Sequence, residues 1–249
     1  MQGITLFVVK DTRKELMPGL KRQSESIPGR DGEIIFETKL MPRLIELHCI
    51  TNEGITYTER EQRKTQIREF FDPKAGVREI TFDDEPGKVY YGRPYGVSSI
   101  AQQPNHMEII VPIRCSDPYI YSNENQVEKT FTVTGDYMEI EVNGTEETFC
   151  IIQAENLATS SIAGGFNIIP AVDAEQQVDK LKYNGQIGVG EMVEIDSNKE
   201  TAYIGEENVV HLLSPYFITL TSNINRLYYE DNEGSREVKV VVKWRDKWV

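Results

Sequence analysis

The sequence predicts a mainly β fold: an antiparallel β domain with one packed helix over residues 1–124, then a β-sandwich of the jelly-roll kind over 125–249. Three observations predict it. Apolar residues recur at every second position in the best-patterned stretches, which is the period of a half-buried strand. A single segment carries the punctuation of a helix. Past residue 130, turn signals recur at short intervals with no helix-length pattern between them. The halves also differ in charge. Residues 1–124 hold 17 Lys+Arg against 19 Asp+Glu, and residues 125–249 hold 10 against 21. That asymmetry is expected of two domains with different surroundings.

Taken in order, the first apolar segment is Ile4 to Val9, followed by the loop Ile27-Pro28-Gly29-Arg30. A strand follows near 43–50, where Ile45, Leu47 and Cys49 share a face opposed by Glu46 and His48. Thr58 and Glu61 have the spacing of a capping box, which predicts a helix running to Phe71 and stopped by Asp72-Pro73. Asp83-Asp84-Glu85-Pro86-Gly87-Lys88 reads as a polar turn between two strands. Near 106–115, Met107, Ile109, Val111, Ile113 and Cys115 alternate with His106, Glu108 and Arg114. The polar run Ser122 to Gln126 is the expected crossing between domains. In the second half, Asn143-Gly144 predicts a type I′ hairpin, since both residues tolerate positive φ. Val238, Val240, Val242 and Trp244 mark a late strand.

Composition narrows the function. A net charge of −13 argues against a surface built to grip nucleic acid or an anionic membrane. No stretch approaches the ~20 apolar residues of a membrane span, and no basic-then-apolar leader opens the chain. Cys49, Cys115 and Cys150 fit neither a disulfide framework nor a CxxC metal pattern and are expected as buried free thiols. The expectation is a soluble protein made in a reducing cytoplasm.

Asp83-Asp84-Glu85 has the composition of a cation or acid/base site, but a turn ending in Pro-Gly collects acids by itself. Glu139 and Glu141 lie on one face of one strand, unlike a glycosidase pair flanking a cleft. His48, His106 and His211 show no metal-ligand spacing and sit in expected strands. Ser116 and Ser214 lack a nucleophile elbow, and the glycines of Gly185-Gln-Ile-Gly188-Val-Gly190 form neither phosphate-loop pattern. No catalytic, cofactor-binding or metal-binding residues are assigned.

The order Ile27-Pro28-Gly29-Arg30-Asp31-Gly32, Leu40-Met41-Pro42-Arg43-Leu44, Phe82-Asp-Asp-Glu-Pro-Gly87 and Arg114-Cys-Ser-Asp-Pro-Tyr119 resembles the distal tail proteins of long-tailed bacteriophages that infect Gram-positive bacteria. Gly190 to Ala202 and Phe217 to Asn225 are similar to looser motifs of the family's later domain, with Ser222 where relatives often have glycine. The resemblance implies an N-terminal domain that closes a homo-hexameric ring and a galectin-like C-terminal domain. It implies as partners the tail tube protein, the tail-associated tip or fibre protein and, in many relatives, receptor-binding proteins. It further implies that DNA passes through the ring without specific binding, that no membrane is engaged, and that the location is the virion tail tip. On that frame Glu46, His48, Glu108 and Arg114 are the expected lumen or neighbour-facing residues. Arg30 and Arg43 are the expected polar anchors between subunits, with solvated strand ends as the alternative.

Two other functions were weighed. A galectin-like domain could act as a carbohydrate-binding module on the cell wall, with Tyr183, Tyr203 or Tyr228 as stacking residues in place of Trp244 and Trp248. A wall hydrolase is disfavoured by the lack of a catalytic constellation.

Overall fold

The structure, a computed structural model, describes residues 8–51, 56–96, 99–103, 106–171, 180–234 and 236–249. The expected opening strand therefore lies largely outside the described residues. The chain divides into two compact units, Met1–Ile120 with Val249, and Tyr121–Trp248.

Unit 1 contains β1 (Val8–Lys14), β2 (Leu20–Glu25), β3 (Ile34–Leu40), β4 (Arg43–Ile50), α1 (Tyr57–Phe70), β5 (Arg78–Thr81), β6 (Lys88–Pro94), β7 (Ser99–Gln102) and β8 (Met107–Cys115). The strands that unit 1 itself supplies to its main sheet run β1-β4-β8-β6, with β5 joined to β6 and β7 to β8, and these pairings are antiparallel. The long β4–β8 ladder aligns Arg43 with Cys115 and Ile50 with Glu108. That register puts the two apolar sets on one face: Ile45, Leu47, Cys49, Met107, Ile109, Val111, Ile113 and Cys115 are all buried. A one-residue slip would turn every one of them to water, so the pattern itself fixes the register. Gly92 lets β6 approach β8, since a Cβ there would sit 2.6 Å from Ile113 Cγ2.

The helix forms, with its start displaced from the expected position. Its N-cap is Thr56, whose hydroxyl accepts from the Glu59 amide while the Glu59 carboxylate accepts from Thr56 N at 2.7 Å. The capping box is therefore Thr56/Glu59, two residues before the expected Thr58/Glu61 pair. Both pairs satisfy the motif in sequence. Thr58 lies inside the helix, where the amides it would cap already belong to the first turn. Ile67 is the one buried residue of α1, and Phe70 remains half exposed.

β2 and β3 form a separate two-stranded sheet. Every residue of β2 is exposed, as are the five inner residues of β3.

Unit 2 begins within β9 (Ile120–Ser122) and contains β10 (Asn125–Phe131), β11 (Tyr137–Val142), β12 (Thr148–Asn156), β13 (Phe166–Ala171), β14 (Leu181–Tyr183), β15 (Met192–Asp196), β16 (Thr201–Ile204), β17 (Glu207–Asn208), β18 (Thr219–Leu220), β19 (Asn223–Glu230), β20 (Val238–Trp244) and β21 (Lys247–Trp248). One sheet runs β10-β20-β12-β15-β16-β17, with β18 also on β12, and a second runs β11-β19-β13-β14. Their inner faces meet in one core that includes Phe131, Ile140, Ile152, Ile168, Val193 and Tyr229. Tyr229 stacks between Phe131 at 5.1 Å and Phe166 at 5.9 Å. Each such side chain contributes about 1.5–3 kcal/mol by leaving water.

Two expectations change here. Asn143-Gly144 does not close a type I′ hairpin: neither residue has positive φ, and β11 and β12 belong to different sheets. The glycine is needed for space instead, because a Cβ on Gly144 would lie 2.5 Å from the Lys247 carbonyl oxygen. His211 lies in a 3-10 turn (Val210–Leu212), not in a strand.

Candidate functional site

The face of the unit 1 sheet opposite the core is the broadest arrangement of charged groups on that unit's strands. Strand alternation and the ladder register bring Glu46 and His48 of β4 beside Asp11 and Arg13 of β1, and beside the row Glu108, Ile110, Pro112, Arg114 of β8. Arg93 of β6 faces Arg114 in turn. Three carboxylates, Asp11, Glu46 and Glu108, thus share the face with three guanidinium groups, Arg13, Arg93 and Arg114. Glu46 Oε2 lies 3.8 Å from His48 Nε2 and 4.0 Å from Arg13 Nη1, and His106 Nε2 lies 3.5 Å from Glu108 Oε1. These are loose, solvent-screened approaches that tune the local potential more than they stabilise the fold. The Arg114 guanidinium rests 5.0 Å from the centre of the Tyr95 ring, a cation–π contact. A shallow pocket of about 240 Å³ lies between β1, β4, β7 and β8, lined by Asp11, His48, Ser99, Ala101, Glu108 and Ile110 among others.

Of the residues singled out from sequence, Glu46, His48, Glu108 and Arg114 do converge on this face. Arg30 lies apart, exposed in the turn after Ile27, whose carbonyl accepts its backbone N–H at 3.1 Å. Arg43 departs from expectation. It is 1% exposed, and Nη1 donates to the Glu15 and Leu16 carbonyls at 2.5 and 3.3 Å while Nε donates to Pro118 O at 3.2 Å. Inside unit 1 it meets backbone oxygens, neither a carboxylate nor solvent. The reason is register: Arg43 shares the inward face with Ile45, and the segments at 15–16 and 118 close over it. Asp11, Arg13 and Arg93 escaped sequence reading because alternation assigns a face within a strand and says nothing of which strands are neighbours.

The acidic turn is structural. Lys14 Nζ donates to Asp84 Oδ2 at 2.9 Å and Glu85 Oε2 at 2.8 Å, and lies 4.3 Å from the Phe82 ring centre. Tyr90 Oη donates to the same Glu85 oxygen at 2.6 Å. Burial pushes the Glu85 carboxyl up, but the bonds from Lys14 and Tyr90 outweigh it and leave it below the usual carboxylate range. All three cysteines are buried and free, with burial pushing the thiols up to about 11 for Cys49 and Cys115 and about 12 for Cys150. At neutral pH none presents a thiolate, which is the nucleophilic form. Among the described residues no group of three or more His, Cys, Asp or Glu could hold a metal ion. In unit 2, Tyr183 is core and Trp244 is buried, whereas Tyr203 is 37% exposed.

Residues 1–115, which take in the strands that bear this face, match the family model of the phage tail protein RIFT-related domain. The distal tail protein of Bacillus phage SPP1 is 26% identical over 128 residues, which are 51% of this chain and 50% of that protein. This chain is therefore aligned with about half the length of that relative. The crystal structure of the SPP1 Dit protein superposes with a TM-score of 0.79 at 20% identity, covering 98% of this chain and 94% of the other. The chain is thus similar in sequence to the SPP1 distal tail protein over 128 residues and similar in fold to SPP1 Dit along nearly its whole length.

Proposed function

We propose that this chain is a structural hub of a siphophage tail tip: six copies close a ring through unit 1, joining the tail tube to the central tip protein. The supporting observation is that the family match falls on the unit whose sheet ends at free strands. β1 pairs with β4 alone, and β7 pairs with β8 alone among the described residues. Such edges invite pairing with another chain, and closing a ring removes them. The SPP1 relative is described as a hub of the adsorption apparatus in phages that infect Gram-positive bacteria. A structural role also agrees with a surface that arranges charges without a nucleophile and base in contact. Unit 2, more acidic and with its own core, is the half available to tip or receptor-binding partners. The virion tail tip is the corresponding location.

In this reading the charged face of β1, β4 and β8 lines the channel. Carboxylates interleaved with guanidinium groups leave no continuous positive wall to retain phosphates, so DNA passes without being held. The ring is tested by light scattering of the purified chain with negative-stain imaging of the same peak. A six-fold annulus with a central channel supports it. A monomer at every concentration, alone and with the tube and tip proteins added, overturns it.

A further inference from the structure

We infer that the outer face of the β11–β19 pair is a binding site for a neutral glycan, one pyranose unit seated on it at a time. Every residue involved belongs to unit 2, so the site stands or falls apart from the ring. The ladder register lays it out. Met138 and Ile140 of β11 and Leu227 and Tyr229 of β19 are buried in the core, which turns Tyr137, Glu139, Arg226 and Tyr228 outward. Tyr137 stands directly opposite Tyr228, and Glu139 opposite Arg226. The two rings lie 5.2 Å apart with their planes at 40°, and the Arg226 guanidinium is 5.3 Å from the centre of the Tyr137 ring. Tyr137 is 37% exposed and Tyr228 is half-buried. An aromatic shelf thus borders an ion pair on one sheet face.

The ion pair selects the ligand. Arg226 Nε and Nη2 both approach the same oxygen, Glu139 Oε1, each at 2.9 Å. Among the described residues nothing donates to Glu139 Oε2 and nothing accepts from Arg226 Nη1, so an acceptor and a donor stand open together. Adjacent hydroxyls of a pyranose supply the matching donor and acceptor. Its C–H face in turn complements the negative face of a tyrosine ring. Beside the shelf, the edge strands β10 and β11 flank a cavity of about 410 Å³ whose lining includes Lys129, Asp136, Tyr137 and Glu139. Ligand sites are commonly ~300–1,000 Å³. Lys129 Nζ donates to Asp136 Oδ1 at 2.8 Å and to the Tyr137 carbonyl at 2.6 Å, so this wall is set before any ligand arrives. Charge decides which glycan. Glu128, Asp136 and Glu139 rim the cavity, in a half of the chain with 10 Lys+Arg against 21 Asp+Glu. A phosphate- or uronate-bearing polymer is repelled there, and a neutral one is not.

The test is saturation-transfer NMR on the full chain with cellotetraose, maltotetraose, galactobiose and chitotetraose as neutral probes and poly(glycerol phosphate) as the anionic comparison. Transfer to at least one neutral probe is expected, with a Kd on the order of 1 mM or tighter, and none to poly(glycerol phosphate). Tyr137→Ala and Arg226→Gln should each weaken that binding at least tenfold. Both side chains are exposed, so melting of unit 2 should stay close to wild type; if Tyr137→Ala folds poorly, Arg226→Gln carries the test. A neutral probe bound as tightly by the folded variants as by wild type overturns the site. Silence from every neutral probe at roughly 10 mM, or a preference for poly(glycerol phosphate), overturns it as well. None of these results bears on the ring, which light scattering reads separately.

Discussion

A buried arginine shows what a single side chain contributes here. Arg43 places a permanent charge against the Glu15, Leu16 and Pro118 carbonyls, and it joins the base of the β2–β3 hairpin to the segment at Pro118. Arg43→Met keeps the volume and removes the donors, leaving those carbonyls without a partner at about 1–3 kcal/mol each. Chemical denaturation should show unit 1 destabilised by roughly 3 kcal/mol, with the unit 2 transition unmoved. Glu85 carries a pH dependence. Its folded pKa lies below the unfolded one, so its ion pair contributes fully above the unfolded carboxylate value of about 4.3 and is lost as pH falls through the folded value. Glu85→Gln should lower stability at pH 7 and flatten the stability profile below pH 5, measured by denaturation at stepped pH. The thiols predict a third outcome. An aromatic disulfide reagent at neutral pH should find no reactive cysteine in the native chain and three after denaturation.

Among the elements, those with unbroken alternation could be read from sequence and the connections could not. β4, β8 and β20 follow from period-two patterns, because each has one buried face and one wet face. α1 was visible from its caps and stop signals, although two overlapping boxes made its start ambiguous by two residues. Asn143-Gly144 suggests a hairpin in sequence because Asn-Gly reports tolerance of tight backbone, and the same tolerance serves a crossing between sheets. The distinction lies in what packs against it, here the Lys247 backbone, more than a hundred residues away in sequence. The candidate face was partly legible for the same reason. Its β4 and β8 residues were named from alternation, while the β1 and β6 residues needed the ladder. Gly165 offers the sharpest test of the second unit: φ is +69° and a Cβ would meet the Tyr183 carbonyl at 1.9 Å. Gly165→Ala should cost well over 1 kcal/mol, since both the backbone and a ladder neighbour must shift. Gly234→Ala, where nothing lies within 4 Å, should be nearly silent.

At the scale of the molecule, the two units have separate cores and should unfold in two transitions, resolved by calorimetry and by the tryptophans, both of which belong to unit 2. The channel reading makes its own prediction. Glu46→Lys with Glu108→Lys turns the face positive, and phage carrying it should release DNA slowly and more slowly still at low salt; unchanged release would place that face elsewhere. One feature of unit 2 reaches beyond the finished structure. β20, nearly the last strand made, lies between β10 and β12 and is hydrogen-bonded to both. On a ribosome adding about 5–20 residues each second, β10 and β12 are made several seconds before the strand that fills the space between them. For several seconds β10 and β12 wait with unfilled edges, which are templates for pairing with another chain, in a half whose 10 Lys+Arg against 21 Asp+Glu give copies of it a mutual repulsion. Order of manufacture is thus written into strand order: this sheet closes only when almost all of the chain has been made.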